Sequence, residues 1–354
     1  MAIKRGVSFY SYQQADFFDE MDYRDMIREL HDHLKCDGVE IINMNVVRDF
    51  PFPSDAWVAE WDNNIARYGM NPVCLDGFLD TMFWRDHVMT YPEAAEVVKH
   101  ELRLAKRLGF KHIRTMTALP NEVTERCLEL SDQLGVKIAW EIHVPLSIKP
   151  GKEKMNKYRE GGERAVYDTL EWVQKKGIHN VGFVPDFGIF ADGPYLGGVE
   201  SIIRGITKRD GKLGAQLKEE LDNVMATTGR TADFSKVVEA KYADKLAPME
   251  KGRMMGRLCA EPKDLLDILP YVFSFHGKAH NMVEIPGNPG HYWEPATLYK
   301  EVFDILLANN WDGYVCTEFE GQGAYGDLPK EQFLDEKEQV WRHHQMMIDL
   351  GAQA

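Results

Sequence analysis

Eight short apolar runs, each followed by a stretch with helical periodicity, constrain the fold of this chain more than any other feature. Apolar runs of this length, bounded by glycine or charged residues, are typical of strands in a parallel sheet, where both faces are covered. The runs are "GVSFYSY" (6–12), "GVEIINM" (38–44), "PVCLDGF" (72–78), "KHIRTMT" (111–117), "VKIAWEIHV" (136–144), "NVGFVPDFG" (180–188), "YVFSFHG" (271–277) and "GYVCTEFEG" (313–321).

The segments between these runs have the pattern of amphipathic helices, as in "YPEAAEVVKHELRLAKRLG" (91–109). Gly109, Gly135 and Gly177 each end such a segment, at the position where a helix terminus favours a left-handed residue. Eight alternations of strand and helix predict a (β/α)8 TIM barrel. A doubly wound open sheet is the alternative, but no G-x-G-x-x-G motif follows the first strand.

The connection after the sixth predicted strand is unusually long. The separation between Asp186 and His276 is about twice that between Glu141 and Asp186 or between His276 and Glu318. The excess lies in residues 190–255, which are rich in charge, glycine and methionine. We interpret them as a helical insertion within a single barrel domain that spans residues 1–354. Such an insertion would lie on the active-site face, as a lid or a subunit contact; a surface excursion without function is the alternative.

The composition of the chain limits the kinds of molecule that the protein is expected to bind. The formal net charge of -14 argues against nucleic acid or an anionic membrane as the main partner. No apolar run approaches the roughly 18 residues of a membrane helix, and the N-terminal "MAIKRGVSFYSY" lacks an apolar leader. The five cysteines form no Cys-x-x-Cys pair, which favours reduced, packed thiols. These features predict a cytoplasmic protein that acts on a small molecule.

Acidic residues and a histidine stand at the ends of the last four predicted strands: Glu141, Asp186, His276 and Glu318. The carboxyl ends of barrel strands meet at one mouth, where active sites lie. Singly, a strand-end acid is often a helix N-cap and a strand histidine often satisfies a core hydrogen bond. As an ordered set, three carboxylates and an imidazole would repel one another without a cation. The oxygen-rich set favours Mg²⁺, Mn²⁺, Co²⁺ or Fe²⁺ over a thiolate zinc site.

Three stretches carry a resemblance to a known superfamily. "FHGKAHNMVEIPGNPGHYW" (275–293), followed by "LLANNWDGYVCTEFEG" (306–321), resembles the xylose isomerase-like barrels, which include ketose 3-epimerases and inosose dehydratases. "CDGVEIINM" (36–44) is similar to their second strand, so the resemblance covers the chain apart from the insertion. It implies one divalent ion bound by Glu141, Asp186, His276 and Glu318. We expect Mn²⁺, with Mg²⁺ or Co²⁺ as alternatives.

Within this superfamily, two positions depart from the epimerase pattern. Ile189 stands where those enzymes usually have a histidine, and His143 stands where they usually have an apolar residue. The length, the "WEIH" strand and the insertion are most similar to the large α subunits of bacterial C-glycoside deglycosidases. That resemblance implies a metal-dependent lyase that cleaves the carbon–carbon bond of 3-oxo-C-glucosides together with a small β subunit, as a hetero-oligomer. A sugar isomerase, 3-epimerase or inosose-type dehydratase, and a non-catalytic binding barrel, are the alternatives.

The lyase reading assigns roles to the remaining polar residues. His143 lies on the same face as Glu141 and is the candidate base for the C2 proton, which lies α to the ketone; a substrate contact or a partner of the metal ligands is the other reading. Lys278 and His280 would bind sugar hydroxyls or neutralise neighbouring carboxylates. His291 and Trp293 would contact the substrate at the mouth, although loop aromatics more often pack on a barrel's own rim.

Overall fold

The computed structural model of the protein describes residues 2–115, 119–149, 165–256 and 258–353. Its centre is a parallel eight-stranded barrel, which confirms the predicted (β/α)8 architecture. The strands are β1 (Lys4–Ser8), β2 (Gly38–Ile42), β3 (Asn71–Gly77), β4 (His112–Thr115), β5 (Lys137–Ile142), β6 (Val181–Pro185), β7 (Ser274–Ala279) and β8 (Tyr314–Phe319).

The strands are hydrogen-bonded in the spatial order β6-β5-β4-β3-β2-β1-β8-β7. Two parallel bridges, Phe183 with Val272 and Asp186 with His276, join the remaining edges of β6 and β7. The sheet therefore closes almost completely, and its closing seam places Asp186 beside His276. In the neighbouring pair, Glu318 of β8 is in register with Lys278 of β7.

Helices surround the barrel, and Gly109, Gly135 and Gly177 end three of them with positive φ angles of 83°, 64° and 65°, as predicted. An antiparallel hairpin, Val283–Ile285 and Asn288–Trp293, follows β7. The helices outside the insertion are α1 (Gln13–Phe17), α2 (Tyr23–Glu29), α3 (Asn43–Val46), α4 (Asp55–Tyr68), α5 (Tyr91–Leu108), α6 (Asn121–Glu125), α7 (Leu128–Leu134), α8 (Ala165–Lys176), α13 (Tyr299–Ala308) and α14 (Glu336–Asp349).

Several strand boundaries differ from the prediction. The first strand ends at Ser8, and the aromatic residues after it form a 3₁₀ turn, Phe9–Tyr12. The seventh strand was predicted over 271–277 but begins at Ser274 and continues to Ala279, because a Pro-containing 3₁₀ turn, Leu269–Tyr271, precedes it. The fourth predicted strand, 111–117, extends past Thr115 into positions 116 and 117, which lie outside the described residues.

The long connection after β6 is helical, as predicted. It contains α9 (Leu196–Arg209), α10 (Gly211–Thr227), α11 (Thr231–Lys241) and α12 (Pro248–Arg253). These helices bury a hydrophobic cluster of their own, centred on Val199, Leu217 and Phe234, separate from the main barrel core. Polar contacts tie the insertion to the barrel: the Gly197 amide donates to Asn281 at 2.9 Å, and Arg204 pairs with Asp327 at 2.7 Å. None of the helices in the described ranges is long and apolar enough to cross a membrane.

Candidate metal centre

Four side chains from four consecutive strands converge at the mouth of the barrel. Each of Glu141, Asp186, His276 and Glu318 offers one ligand atom, and these atoms lie within 4.8 Å of one another. Nδ1 of His276 lies 2.8 Å from Oε1 of Glu141 and 3.2 Å from Oε2 of Glu318. All four side chains are buried. The structure thus brings together the residues that the sequence predicted as one ligand set, which we call the quartet.

Strand periodicity and register explain the convergence. Side chains two positions apart on a strand share a face, so His276 and Lys278 point the same way, as do Glu318 and Glu320. Asp186 follows β6 directly and also caps the 3₁₀ turn Phe187–Phe190, since its Oδ1 accepts a hydrogen bond from the Gly188 amide at 2.5 Å. The other carboxylate oxygen of Asp186, Oδ2, faces the quartet. The N-cap interpretation and the ligand interpretation of Asp186 are therefore compatible.

Lys278 is a buried cation among these carboxylates. Its Nζ lies 2.9 Å from Oδ2 of Asp186, 2.6 Å from Oε2 of Glu318 and 2.8 Å from Oε2 of Glu320. Burial lowers the pKa of Lys278, but these carboxylates raise it well above its ordinary value overall. The contacts favour the charge-neutralising interpretation of Lys278, and its binding to sugar hydroxyls stays a prediction.

A second layer of charged residues lies next to the quartet inside the barrel. Nε2 of His276 faces Oε1 of Glu40 at 3.2 Å, and the Arg114 guanidinium contacts Oδ1 of Asp76 at 3.1 Å and Oε2 of Glu141 at 3.6 Å. Glu40, Asp76 and Arg114 were not among the site residues predicted from the sequence. A usable pattern was present at Glu40, because "GVEII" carries a charge at the centre of an otherwise apolar run; Arg114 in "HIRT" lies in a polar strand and gives no such signal.

The interior carries an excess of negative charge. Five buried carboxylates (Glu40, Asp76, Glu141, Asp186 and Glu318) face two buried fixed cations (Arg114 and Lys278). Burial lowers the pKa of His276, yet the adjacent carboxylates of Glu40, Glu318 and Glu141 raise it well above its ordinary value overall. Burial likewise raises the pKa of Asp76 well above its usual range. An excess of buried carboxylates of this kind favours the binding of a divalent cation.

The donor set fits a divalent cation. It offers three carboxylate oxygens and one imidazole nitrogen, the combination that suits hard or borderline divalent ions. His276 directs Nδ1 towards the quartet and Nε2 towards Glu40, the arrangement in which an outer carboxylate orients a ligand histidine. Burial would raise the pKa of Glu141, but Arg114 and His276 lower it to about 2, so this carboxylate is ionised. The quartet could therefore hold a metal ion.

Replacing Glu40 by Gln should weaken metal binding without removing a ligand. The amide keeps the shape of the side chain but loses the charge that orients His276, and changes of this kind cost about 10- to 100-fold in metal affinity. Metal titration of the apoprotein measures the effect. Glu101→Gln is the matched control, because Glu101 is a buried glutamate of α5 that accepts a hydrogen bond from Asn43 at 3.1 Å and does not contact His276. Equal affinities for the two variants would contradict the role assigned to Glu40.

His143 lies immediately past β5, next to the quartet. Its Nδ1 is 2.7 Å from the carbonyl oxygen of Val144. A carbonyl can only accept, so Nδ1 carries the hydrogen in this contact and Nε2 of the neutral ring has a free lone pair. Electrostatic interactions link the His143 ring to Asp186 and His280, so the imidazole lies near both side chains. The ring is half-buried and has the tautomer that a proton acceptor needs.

The remaining predicted substrate contacts separate into two groups. His280 lies at the mouth, where its ring stacks on Tyr195 with 3.4 Å between centroids and its Nε2 is 4.0 Å from Oε2 of Glu320. The contacts of His291 and Trp293 lie elsewhere. Nδ1 of the exposed His291 is 2.6 Å from Oδ2 of Asp349, and Trp293 packs beneath the guanidinium of Arg230. A role in substrate binding stays a prediction for these residues.

Relatives by sequence were found along nearly the whole chain, whereas no protein-family model matches it. The chain is 24% identical over 353 residues to a C-glycoside deglycosidase alpha subunit from Arthrobacter globiformis, which covers 98% of this chain and 91% of that protein. It is 23% identical over 325 residues to the 3'-dehydrocarminate deglycosidase alpha subunit of a Microbacterium species, covering 89% and 88%. These relatives confirm the predicted resemblance to C-glycoside deglycosidase alpha subunits.

Solved structures confirm the type of barrel. The probable 3-DHS dehydratase AsbF from Bacillus anthracis superposes with a TM-score of 0.53 at 11% identity, covering 98% of this chain and 99% of that one. The IOLI protein, solved with a bound zinc atom, superposes with a TM-score of 0.52 at 13% identity, covering 98% of both chains. The fold is that of the xylose isomerase-like barrels.

Proposed function

We propose that this chain, an xylose isomerase-like barrel similar to C-glycoside deglycosidase alpha subunits, is the catalytic subunit of such a deglycosidase. The observation that carries the proposal is the buried quartet with an imidazole of suitable tautomer beside it. The reaction would be a metal-dependent elimination that releases the aglycone from a 3-oxo-C-glucoside. The metal expected at Glu141, Asp186, His276 and Glu318 is Mn²⁺, with Mg²⁺ or Co²⁺ as alternatives.

The chemistry begins with a carbon acid. In a 3-oxo sugar, the hydrogen at C2 lies next to the ketone, so removing it places negative charge on the ketone oxygen. A divalent cation held by the quartet would supply Lewis-acid stabilisation of that charge. Lys278 lies 2.6 Å from Glu318 and 2.9 Å from Asp186, so it keeps these carboxylates ionised and oriented while substrate binds.

His143 is the proposed base. Its Nε2 lone pair accepts the C2 proton, and the electron pair of the C2–H bond then forms the C1–C2 double bond as the bond from C1 to the aglycone breaks. The aglycone carbon leaves with an electron pair and takes up one proton, which balances the proton lost at C2. A base of this kind contributes about 10²–10⁴-fold to the rate.

The partner is proposed from the relatives. Both are named alpha subunits, which suggests a small β subunit beside this chain in a hetero-oligomer. The insertion, residues 190–255, is proposed to act as a lid over the mouth or as a subunit contact. It leaves the barrel directly after Asp186 and returns just before β7, so it is anchored at both sides of the quartet.

An epimerase, isomerase or inosose-type dehydratase is the alternative that uses the same site. Proton removal next to a carbonyl is common to these reactions, and a dehydratase shares the fold. Ile189, where epimerases usually carry a histidine, disfavours a plain 3-epimerase. It is buried beneath the mouth and would not supply a second proton-transfer group.

A substrate panel tests the proposal. Purified protein, loaded with Mn²⁺ and assayed with and without a candidate small β subunit, is offered 3-oxo-C-glucosides, free ketoses and inososes. We expect free aglycone to accumulate from the 3-oxo-C-glucosides only, and to stop when the metal is chelated. Epimerisation of a ketose or dehydration of an inosose, without aglycone release, would replace the lyase assignment by the alternative.

A further inference from the structure

A second group of buried donor atoms lies on the other side of the His276 ring from Glu141. Glu40, Cys74 and Asp76 each offer one ligand atom, and these atoms lie within 4.8 Å of one another. All three side chains are fully buried. Oε1 of Glu40 faces Nε2 of His276 at 3.2 Å, whereas Nδ1 of His276 faces Glu141 at 2.8 Å. We call Glu40, Cys74 and Asp76 the inner triad.

Strand register brings the inner triad together. Glu40 of β2 is in register with Cys74 of β3, and Asp76 lies two residues further along β3 on the same face. Ser8 of β1 is in register with Glu40, so its side chain lies in the same row. The group is therefore held by three adjacent strands, which position donor atoms more rigidly than loops do.

Several polar atoms of this group are buried without a hydrogen-bond partner. Among the residues that the structure describes, nothing hydrogen-bonds to Oε2 of Glu40, Oδ2 of Asp76 or Oγ of Ser8. The other oxygen of Asp76 is engaged, because it accepts a hydrogen bond from the Cys74 thiol at 3.3 Å and lies 3.1 Å from Nε of Arg114. A buried carboxylate oxygen without a donor carries a desolvation cost that a bound cation would offset.

The charges of the barrel interior also accommodate a second ion. Once one divalent ion fills the quartet, the five buried carboxylates still exceed the two buried fixed cations and that ion by one negative charge. A second divalent ion that binds the Cys74 sulfur as a thiolate adds two positive charges and one negative charge. The interior is then neutral.

We propose that the inner triad is a second metal site, that it takes a borderline divalent ion such as Zn²⁺, and that Cys74 binds this ion as a thiolate. A thiolate selects such an ion over Mn²⁺ or Mg²⁺, whereas the oxygen-rich quartet suits the harder ions. Ligand atoms that surround one zinc ion at about 2.0–2.3 Å lie at most about 4.5 Å apart, close to the spacing of the triad atoms.

The ion would join β2 to β3 and hold Glu40 in place against His276. Its binding does not depend on which reaction the quartet catalyses, and it is measured without turnover. Failure of the lyase assignment would therefore leave the inner site untouched, and absence of the inner ion would leave the lyase assignment untouched.

Cobalt replaces zinc at thiolate sites and reports on the ligand. The full chain is produced in a medium in which Co²⁺ is the only added transition metal, so that both sites fill while the chain folds. We expect about two Co²⁺ ions per chain and a thiolate-to-cobalt charge-transfer band in the near ultraviolet. One ion per chain without that band would overturn the second site, and so would two ions without the band.

A pair of cysteine variants tests the ligand. Cys74→Ser should lower the Co²⁺ content from about two ions per chain to about one and remove the band. Cys127→Ser is the matched control, because Cys127 is also a fully buried thiol but donates to the carbonyl oxygens of Ala95 and Val123. It should keep both ions and the band. Equal spectra from the two variants would overturn the role of Cys74.

Glu318→Gln assigns each ion to its site. It removes a ligand of the quartet but no atom of the inner triad, so the Co²⁺-grown protein should lose one ion and keep the band. Loss of the band in this variant would place the thiolate at the quartet and overturn the second site. Loss of both ions in Cys74→Ser, at an unchanged melting temperature, would likewise show that the thiol serves the quartet rather than a site of its own.

Discussion

Replacing Glu318 by Gln should remove metal and turnover together. Glu318 is the candidate ligand that contacts both His276 and Lys278 at the centre of the site. Its Oε2 lies 3.2 Å from Nδ1 of His276 and 2.6 Å from Nζ of Lys278. The amide removes one negative charge from the quartet and presents an NH₂ group where a cation would bind. Loss of a residue that only orients a metal ligand lowers metal affinity by about 10- to 100-fold. Loss of a ligand itself should lower the affinity further, on the order of 10³-fold.

Metal content and turnover of Glu318→Gln should be measured on the same preparation. Glu320→Gln is the matched control for metal content, because Glu320 is two residues further along the chain and contacts the same lysine at 2.8 Å, yet is outside the quartet. That variant should keep its metal. Full metal occupancy in Glu318→Gln would count against the ligand assignment, whatever happened to the rate.

Loss of the His143 imidazole should separate metal binding from catalysis. His143→Ala should leave the fold and the quartet intact, because the ring's contact in the structure is with the carbonyl oxygen of Val144. It should lower the rate of C2 proton removal by on the order of 10²–10⁴-fold, the usual effect of losing a general base. His143→Gln keeps much of the volume and a hydrogen-bonding group but cannot accept the proton, so we expect it to be nearly as slow.

Exchange of the substrate C2 hydrogen with deuterated solvent is the measurement that isolates this step. It is followed alongside aglycone release at saturating metal, so that a change in metal affinity does not enter. His280→Gln serves as a second imidazole variant at the mouth, where the ring stacks on Tyr195. If His143→Ala exchanges the hydrogen at the wild-type rate while His280→Gln does not, the base is His280; if both exchange normally, Lys278 is the next candidate.

The Glu318 and His143 variants also test which residues supply the charges of the site and which supply the base. The carboxylates of the quartet are balanced in part by two buried cations, Lys278 and Arg114. A ligand variant disturbs this balance and the donor set at once. The base variant removes no ligand atom of the quartet, because the hydrogen bond of His143 is to a backbone carbonyl. A metal-retaining, exchange-deficient His143→Ala and a metal-deficient Glu318→Gln would therefore assign separate tasks to residues at the ends of β5 and β8.

The amino-acid sequence by itself determined the barrel and the grouping of the four candidate metal ligands. Strand periodicity and the alternation with helices are local properties, and in a parallel barrel all strand ends must meet at one mouth, so Glu141, Asp186, His276 and Glu318 could be grouped without coordinates. The helical character of residues 190–255 followed from the same local patterns. The parity argument also predicted that His143 shares the face of Glu141; in the structure its ring lies near Asp186 and His280.

Only the tertiary structure decided which groups these residues meet across the barrel. Glu40 faces His276 and Arg114 faces Glu141 because the sheet closes on itself, and contacts across a closed barrel depend on the register of every strand between them. The same holds for the insertion: its helices follow from sequence, but the cavity that α9 and α12 form over the mouth depends on how they pack. His291 points to Asp349 because the hairpin after β7 lies against α14, a long-range contact that no local pattern encodes.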